Sequence, residues 1–174
     1  KSFTPSKTVV MYHPDGELVR STPTALSAGR HYLAGASVGN YALFAGGYDG
    51  SYKSTVDAYN TELVRSTPTA LSAARRRLAG ASVGDYALFA GGYDGSNYKS
   101  TVDAYNTDLV RSTPTALSVA RANLAGASVG NYALFAGGSD SSGEYMKTVD
   151  AYNASLVRST PTALSAGRHY LAGA

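Results

Sequence analysis

The chain is written in short runs, in which apolar and β-branched stretches of five or six residues are broken by glycine, asparagine and proline. That pattern favours half-buried strands and tight turns over helices. One full set lies between residues 33 and 67. "LAGASV" (33–38) predicts a first strand whose small residues suit crowded backbones, ending at Gly39-Asn40, a hairpin-type turn. "YALFA" (41–45) predicts a second strand that stops at Gly46-Gly47, where a positive φ or a close backbone approach is required. After the loop "YDGSYK" comes a third, "STVDAY" (54–59). A short turn, "NTE", leads to a fourth, "LVRST" (63–67), which Pro68 confines to an edge.

The set recurs. "LAGASVG" begins at Leu33, Leu78 and Leu124, and "LAGA" returns at Leu171, so the periods are 45, 46 and 47 residues. Periods of this size mark blades or arrays. Four antiparallel strands per period, with a proline-broken edge, describe a propeller blade. A stacked solenoid fits less well, because solenoid units of this length are usually helical. The predicted fold class is therefore all-β: a β-propeller of four-stranded antiparallel blades. Residues 1–174 form one propeller or propeller fragment, with blade repeats beginning near 33, 78, 124 and 171, or about 3.75 blades.

"SKTVVMY" at 6–12 matches "KSTVDAY" at 53–59, so a third and a fourth strand are expected before Leu33, and the blade shared between the two ends lacks a second strand. Residues 18–36, "LVRSTPTALSAGRHYLAGA", return unchanged at 156–174, an offset equal to three blades. Two such modules would make a ring of six, within the roughly four to eight that propellers adopt. The expectation is a larger propeller continued by a longer parent or by further copies, with a strained four-bladed ring as the alternative. The start at Lys1 adds the expectation of a processed or trimmed product.

These features resemble the kelch repeat family. The resemblance rests on the double glycine after the second strand (Gly46-Gly47, Gly91-Gly92, Gly137-Gly138) and on the tyrosine closing the third (Tyr12, Tyr59, Tyr105, Tyr152). An arginine before the first strand (Arg30, Arg75, Arg121, Arg168) completes it. It covers essentially the whole chain. Kelch blades usually carry a tryptophan in strand four, and this sequence has none; Leu63 or Val64 is expected to fill that volume in divergent blades. In kelch adaptor proteins of ubiquitin ligases, arginines at this position read acidic peptides, so the resemblance implies a ligand role for Arg30, Arg75, Arg121 and Arg168. Their own sameness implies the opposite: bonds to neighbouring carbonyls or to Asp57, Asp103 and Asp150.

Charge and composition narrow the function. The net charge of +3 and the lone basic cluster "RRR" (75–77) make a weak case for nucleic acid, and no partner of that kind is expected. No apolar run has the roughly 18 residues that a membrane-spanning helix needs, so no membrane is expected, and localisation stays open. With no cysteine, disulfides, thiolate metal sites and the cysteine-linked tyrosine radical of the kelch-type galactose oxidase are excluded. Three histidines, His13, His31 and His169, read as surface residues rather than as parts of a hydrolytic triad. "GGYDG" lacks the lysine of a phosphate loop and "DSSGE" the spacing of a calcium loop, so both are turn chemistry, and no cofactor or metal is expected.

What varies points to a working surface. Strands alternate direction in a blade, so the loop between strands two and three and the link into the next strand one share a face. That loop reads "YDGSYK", "YDGSNYK" and "SDSSGEYMK". The residues after the repeated arginine read His31-Tyr32, Arg76-Arg77, Ala122-Asn123 and His169-Tyr170. The opposite turns change less, although "HPDGE", "NTE", "NTD" and "NAS" differ. Frames that stay fixed while one rim exchanges charge and aromatic area look like a scaffold displaying contacts. Drift in exposed loops is the bland alternative. The candidate ligand-binding residues are Arg30, His31, Tyr32, Tyr48, Asp49, Arg75, Arg76, Arg77, Tyr93, Asp94, Arg121, Asn123, Tyr145 and Arg168, with none catalytic. The expected function is non-enzymatic binding of a protein or glycan ligand, aided by the tyrosines Tyr52 and Tyr98; the alternative is a kelch-type propeller enzyme acting on a sugar.

Overall fold

The structure, a computed structural model, describes residues 22–173. It contains strands and turns, and no helix among the described residues. Three four-stranded antiparallel sheets follow one another along the chain. The first comprises β1 (Ala34–Val38), β2 (Tyr41–Ala45), β3 (Val56–Tyr59) and β4 (Arg65–Ser66). The second comprises β5 (Ala79–Val83), β6 (Tyr86–Ala90), β7 (Val102–Asn106) and β8 (Arg111–Ser112). The third comprises β9 (Ala125–Val129), β10 (Tyr132–Ala136), β11 (Val149–Asn153) and β12 (Arg158–Ser159). Each sheet keeps its strands in sequence order. Register is set by the glycine turn: Val38 faces Tyr41 across Gly39 (φ 50°), with the same pairing at Val83–Tyr86 and Val129–Tyr132.

The "LAGASV" strands are innermost. β5 lies against both β1 and β9, and a Cβ on Gly80 would fall onto the Gly35 carbonyl oxygen, as one on Gly126 would onto that of Gly80. Backbones so close leave room for no side chain, which is why glycine stands there. A cavity of about 370 Å³ is lined by the glycines and small residues of these strands and edged by Ser37, Ser82 and Ser128. Ser82 donates its hydroxyl to the Ser37 carbonyl at 2.6 Å, and its amide donates to the Ser128 hydroxyl at 2.9 Å.

Blades stack through two matching cores. One joins Leu43, Val56 and Leu71 to Ala87, Phe89 and Tyr105; the other joins Leu88, Val102 and Leu117 to Ala133, Phe135 and Tyr152. Each buried Leu, Val or Phe contributes about 1.5–3 kcal/mol.

Two expectations are corrected, and a third, open between two residues, is decided. The third strand begins at Val56, not at residue 54. The fourth is only Arg65–Ser66, because Leu63, Leu109 and Leu156 turn to φ near 60° and their amides close the turn onto the Asn60, Asn106 and Asn153 carbonyls. Of the two residues expected to pack in the fourth strand, the leucine position does so: Leu109 and Leu156 pack on the cores, whereas Val64 is exposed. The third and fourth strands expected before Leu33, with Tyr12 and His13, lie outside the described residues.

Candidate functional site

The repeated arginines come first, because they decide which part of each linker is free. Arg75 is buried; its guanidinium meets Asp103 at 2.8 Å and donates to the Gly91, Ala73 and Phe89 carbonyls. Asp103 also accepts from the Ser72 amide and hydroxyl, and Tyr105 donates to the Thr69 carbonyl. One linker is thus fastened to the blade it leads into by Thr69, Ser72 and Arg75 together. Arg30–Asp57 (2.7 Å) and Arg121–Asp150 (2.8 Å) repeat the clamp. Burial lowers the affinity of the Arg75 guanidinium for its proton, opposed by the Asp103 charge. Arg30, Arg75 and Arg121 sit inside the blades with their guanidiniums bonded to aspartates and carbonyls, the arrangement that their sameness implied. Arg168 is exposed and donates to the Ala166 carbonyl and the Ser165 hydroxyl.

The double glycines explain how the clamp reaches the neighbouring blade. Gly47 donates its amide to the Arg75 carbonyl at 2.9 Å, and a Cβ on Gly46 would meet that carbonyl at 2.6 Å. Gly92 and Gly138 receive Arg121 and Arg168 in the same way.

Of the two residues after each arginine, all but the buried Ala122 reach the surface at least in part. The first bridges the loop of its own blade: His31 pairs with Tyr48, Arg76 with Tyr93, and Ala122 with Ser139. The expectation that linkers and second loops share a face is met by these bridges. The second residue, Tyr32, Arg77, Asn123 or Tyr170, has φ between 54° and 60°, a left-handed backbone that non-glycine residues hold only where the surroundings enforce it. Here the enforcement is a run of backbone hydrogen bonds around the axis. Arg77 donates to the Tyr32 carbonyl (2.9 Å), Asn123 to that of Arg77 (3.0 Å), and Tyr170 to that of Asn123 (3.0 Å).

Those four side chains, with Leu33, Leu78, Leu124 and Leu171 beneath, line a cavity of about 250 Å³. Tyr32 and Tyr170 are 45% and 63% exposed, so their rings are available to a ligand. The Arg77 guanidinium lies 5.1 Å from the Tyr32 ring centre and has no carboxylate or hydrogen-bond partner among the described residues. Arg76 is likewise without a counter-ion, resting over Tyr48 and Tyr52 at 4.7 and 5.2 Å.

Of the other expected residues, Asp49 and Asp94 lie farther out, paired with Lys53 and Lys99. Hydrogen bonds from Lys99 and from the Asn97 and Ser96 amides bring the Asp94 pKa down to about 2. Tyr145 is exposed and stacks with His169 at 4.2 Å. The structure therefore gathers Tyr32, Arg77 and Asn123 at the axis, places His31, Tyr48, Arg76, Tyr93 and Tyr145 around them, and withdraws Arg30, Arg75 and Arg121. Tyr170 was missed as a site residue, although its place in the fourth copy of the dipeptide marks it. Among the described residues no cluster of His, Asp or Glu could hold a metal ion.

Tandem four-stranded sheets, inner strand first and arranged around a shared axis, define a β-propeller. The fold is shared with a solved structure described as "Structure of YjhT", at a TM-score of 0.75 and 10% identity, over 94% of this chain. The chain spans 61% of the length of that one. No protein family and no curated protein matches the sequence.

Proposed function

We propose that the chain is a non-enzymatic, kelch-type binding scaffold whose variable linker residues recognise a protein or glycan at the axial mouth. A carboxylate or similar anionic group of that partner is set against Arg77. The observation that carries this reading is the set of Tyr32, Arg77, Asn123 and Tyr170: one structural position, three side-chain chemistries, one shared cavity, and a cation with no carboxylate or hydrogen-bond partner among the described residues. An arginine left without a counter-ion beside exposed rings suits an anion that brings apolar or ring surface with it. The expected kelch character is supported by the double glycines, which accept the next linker, and by the arginine–aspartate clamps.

The test is a glycan and peptide array probed with the protein, followed by affinity measurement for any hit. Arg77→Ala should weaken binding at least about tenfold, the scale of a lost charged hydrogen bond. Turnover of any sugar would overturn the non-enzymatic reading. Affinity that survives Arg77→Ala and Tyr32→Ala but collapses on changing Asn60, Thr61 and Glu62 would move the site to the opposite face.

A further inference from the structure

Tyrosines of the outer rim, paired in the first two blades and single in the third, are covered differently. In the first blade the Tyr48 and Tyr52 rings, 5.1 Å apart, carry the Arg76 guanidinium. In the third, His169 lies on Tyr145 with the planes 22° apart. In both, the covering side chain is the first residue of the dipeptide that follows the blade. After the second blade that residue is Ala122, whose side chain ends at Cβ. The Tyr93 and Tyr98 rings, 5.2 Å apart and half-buried, carry neither a guanidinium nor an imidazole among the described residues, and Tyr52 meets Tyr93 edge to face at 6.0 Å. Other local charges match: Lys53 neutralises Asp49 beside the covered pair, and Lys99 neutralises Asp94 beside the uncovered one.

We propose that Tyr93 and Tyr98 form a docking seat for an arginine side chain of a partner polypeptide, which takes the place that Arg76 holds on Tyr48 and Tyr52. The molecule itself displays the occupant that this geometry accepts. A guanidinium is planar, weakly hydrated and attracted to ring faces, whereas the compact ammonium of lysine holds its water more strongly. Charge favours the same occupant. The next loop round the rim, which bridges to Ala122 through Ser139, carries Asp140 and Glu144. Asp140 is held by Ser142 rather than by a lysine, so neither carboxylate is neutralised among the described residues. In repeat order this loop stands to Tyr98 as the Gly95 loop stands to Tyr52, and Tyr52 lies directly against Gly95. The proposal rests on this face being the binding face, but not on the cavity at Arg77.

The experiment is a titration with the capped tripeptide Gly-Arg-Gly and its lysine and citrulline counterparts, read by calorimetry and by the tyrosine ring signals in NMR. The arginine peptide should bind once per chain, at least about threefold more tightly than either counterpart, the scale of an exposed cation–ring contact. Ala122→Arg supplies the side chain internally and should abolish binding, as should Tyr98→Ala. Arg76→Ala uncovers Tyr48 and Tyr52 and should admit a second peptide. Wild-type protein that binds no arginine peptide, or binding indifferent to both Ala122→Arg and Tyr98→Ala, overturns the proposal. Should Tyr98→Ala fail to fold, Ala122→Arg decides alone. None of these variants touches Arg77, so their failure leaves the axial reading standing, and loss of the axial ligand leaves this seat standing.

Discussion

Arg75 and Asp103 meet at 2.8 Å with neither side chain exposed to solvent. The pair belongs to different stretches of chain, one in the link out of the first blade and the other in β7, so it ties a linker to the blade that the linker enters. Removing one partner leaves a buried charge without its match. Asp103→Ala should therefore cost about 3–5 kcal/mol, and replacing both partners by apolar residues, Arg75→Met with Asp103→Leu, should recover much of it. Urea unfolding decides; a double variant no more stable than the single one would show that the clamp's carbonyl contacts, rather than its charges, hold the linker.

Stability should form a plateau in pH with an edge at each end. Burial pushes the Asp150 carboxyl up, but hydrogen bonds from Arg158, Arg121 and the Ser118 amide outweigh it and leave the pKa below the ordinary 3.8. The folded state then favours the ionised form, so this contribution is full above the ordinary carboxylate range and is lost as pH falls below about 3.8. Burial, reinforced by the Asp103 and Asp150 charges, pushes the Tyr105 and Tyr152 phenols above their ordinary 10.0. That contribution is full below pH 10 and is lost as pH rises beyond it. Urea midpoints across pH should trace both edges, and ultraviolet titration of tyrosinate should leave at least the Tyr105 and Tyr152 phenols silent until the chain unfolds.

Gly80→Ala should disrupt the stacking of the first two blades, because its methyl group has no space against the Gly35 carbonyl. Overpacking of this kind costs about 1–3 kcal/mol. Gly35→Ala is the comparison: its Cβ would meet nothing described closer than 3.7 Å. Equal losses for the two variants in thermal unfolding would contradict the arrangement of inner strands.

The rim should be thermodynamically cheap to change and the opposite turn expensive. Arg77→Ala removes a ring contact at a half-buried site and should move stability by no more than about 1 kcal/mol. Asn106→Ala removes an acceptor for the Val110 and Asp108 amides, a loss of about 1–2 kcal/mol. A rim variant that proved the costlier of the two in circular-dichroism melts would assign the rim to folding rather than to recognition.

Strand order, the glycine turns and the shared face were legible because each rests on a local, repeated signal. Val38-Gly39-Asn40-Tyr41 specifies a two-residue hairpin, and its return at Val83, with Asp85 for the asparagine, and at Val129 gives the count of blades. The arginines were legible only as a pair of alternatives. Their sameness fits a clamp and the family resemblance fits a ligand site, and only the depth of Arg75 in the sheet separates the two. The short fourth strand escaped because nothing local in "LVRST" announces that Leu63 will adopt a left-handed backbone; the bond from its amide to the Asn60 carbonyl requires it. The axial ring escaped for a related reason. Hydrogen bonds between residues 45 to 47 positions apart are invisible to a window of one turn.

That run joins linkers through amides and carbonyls, and within it the Arg77 side chain also meets the Tyr32 ring. The two letters of each dipeptide are drawn from unequal alphabets. Positions 31, 76, 122 and 169 lie outside the left-handed region, so handedness sets no limit on branching there. Positions 32, 77, 123 and 170 do not, because a left-handed backbone penalises branching at Cβ. Diversification of this protein, by descent or in a laboratory library, can therefore range freely over charge and size at both letters, while valine, isoleucine and threonine are filtered from the second by handedness before any partner is met.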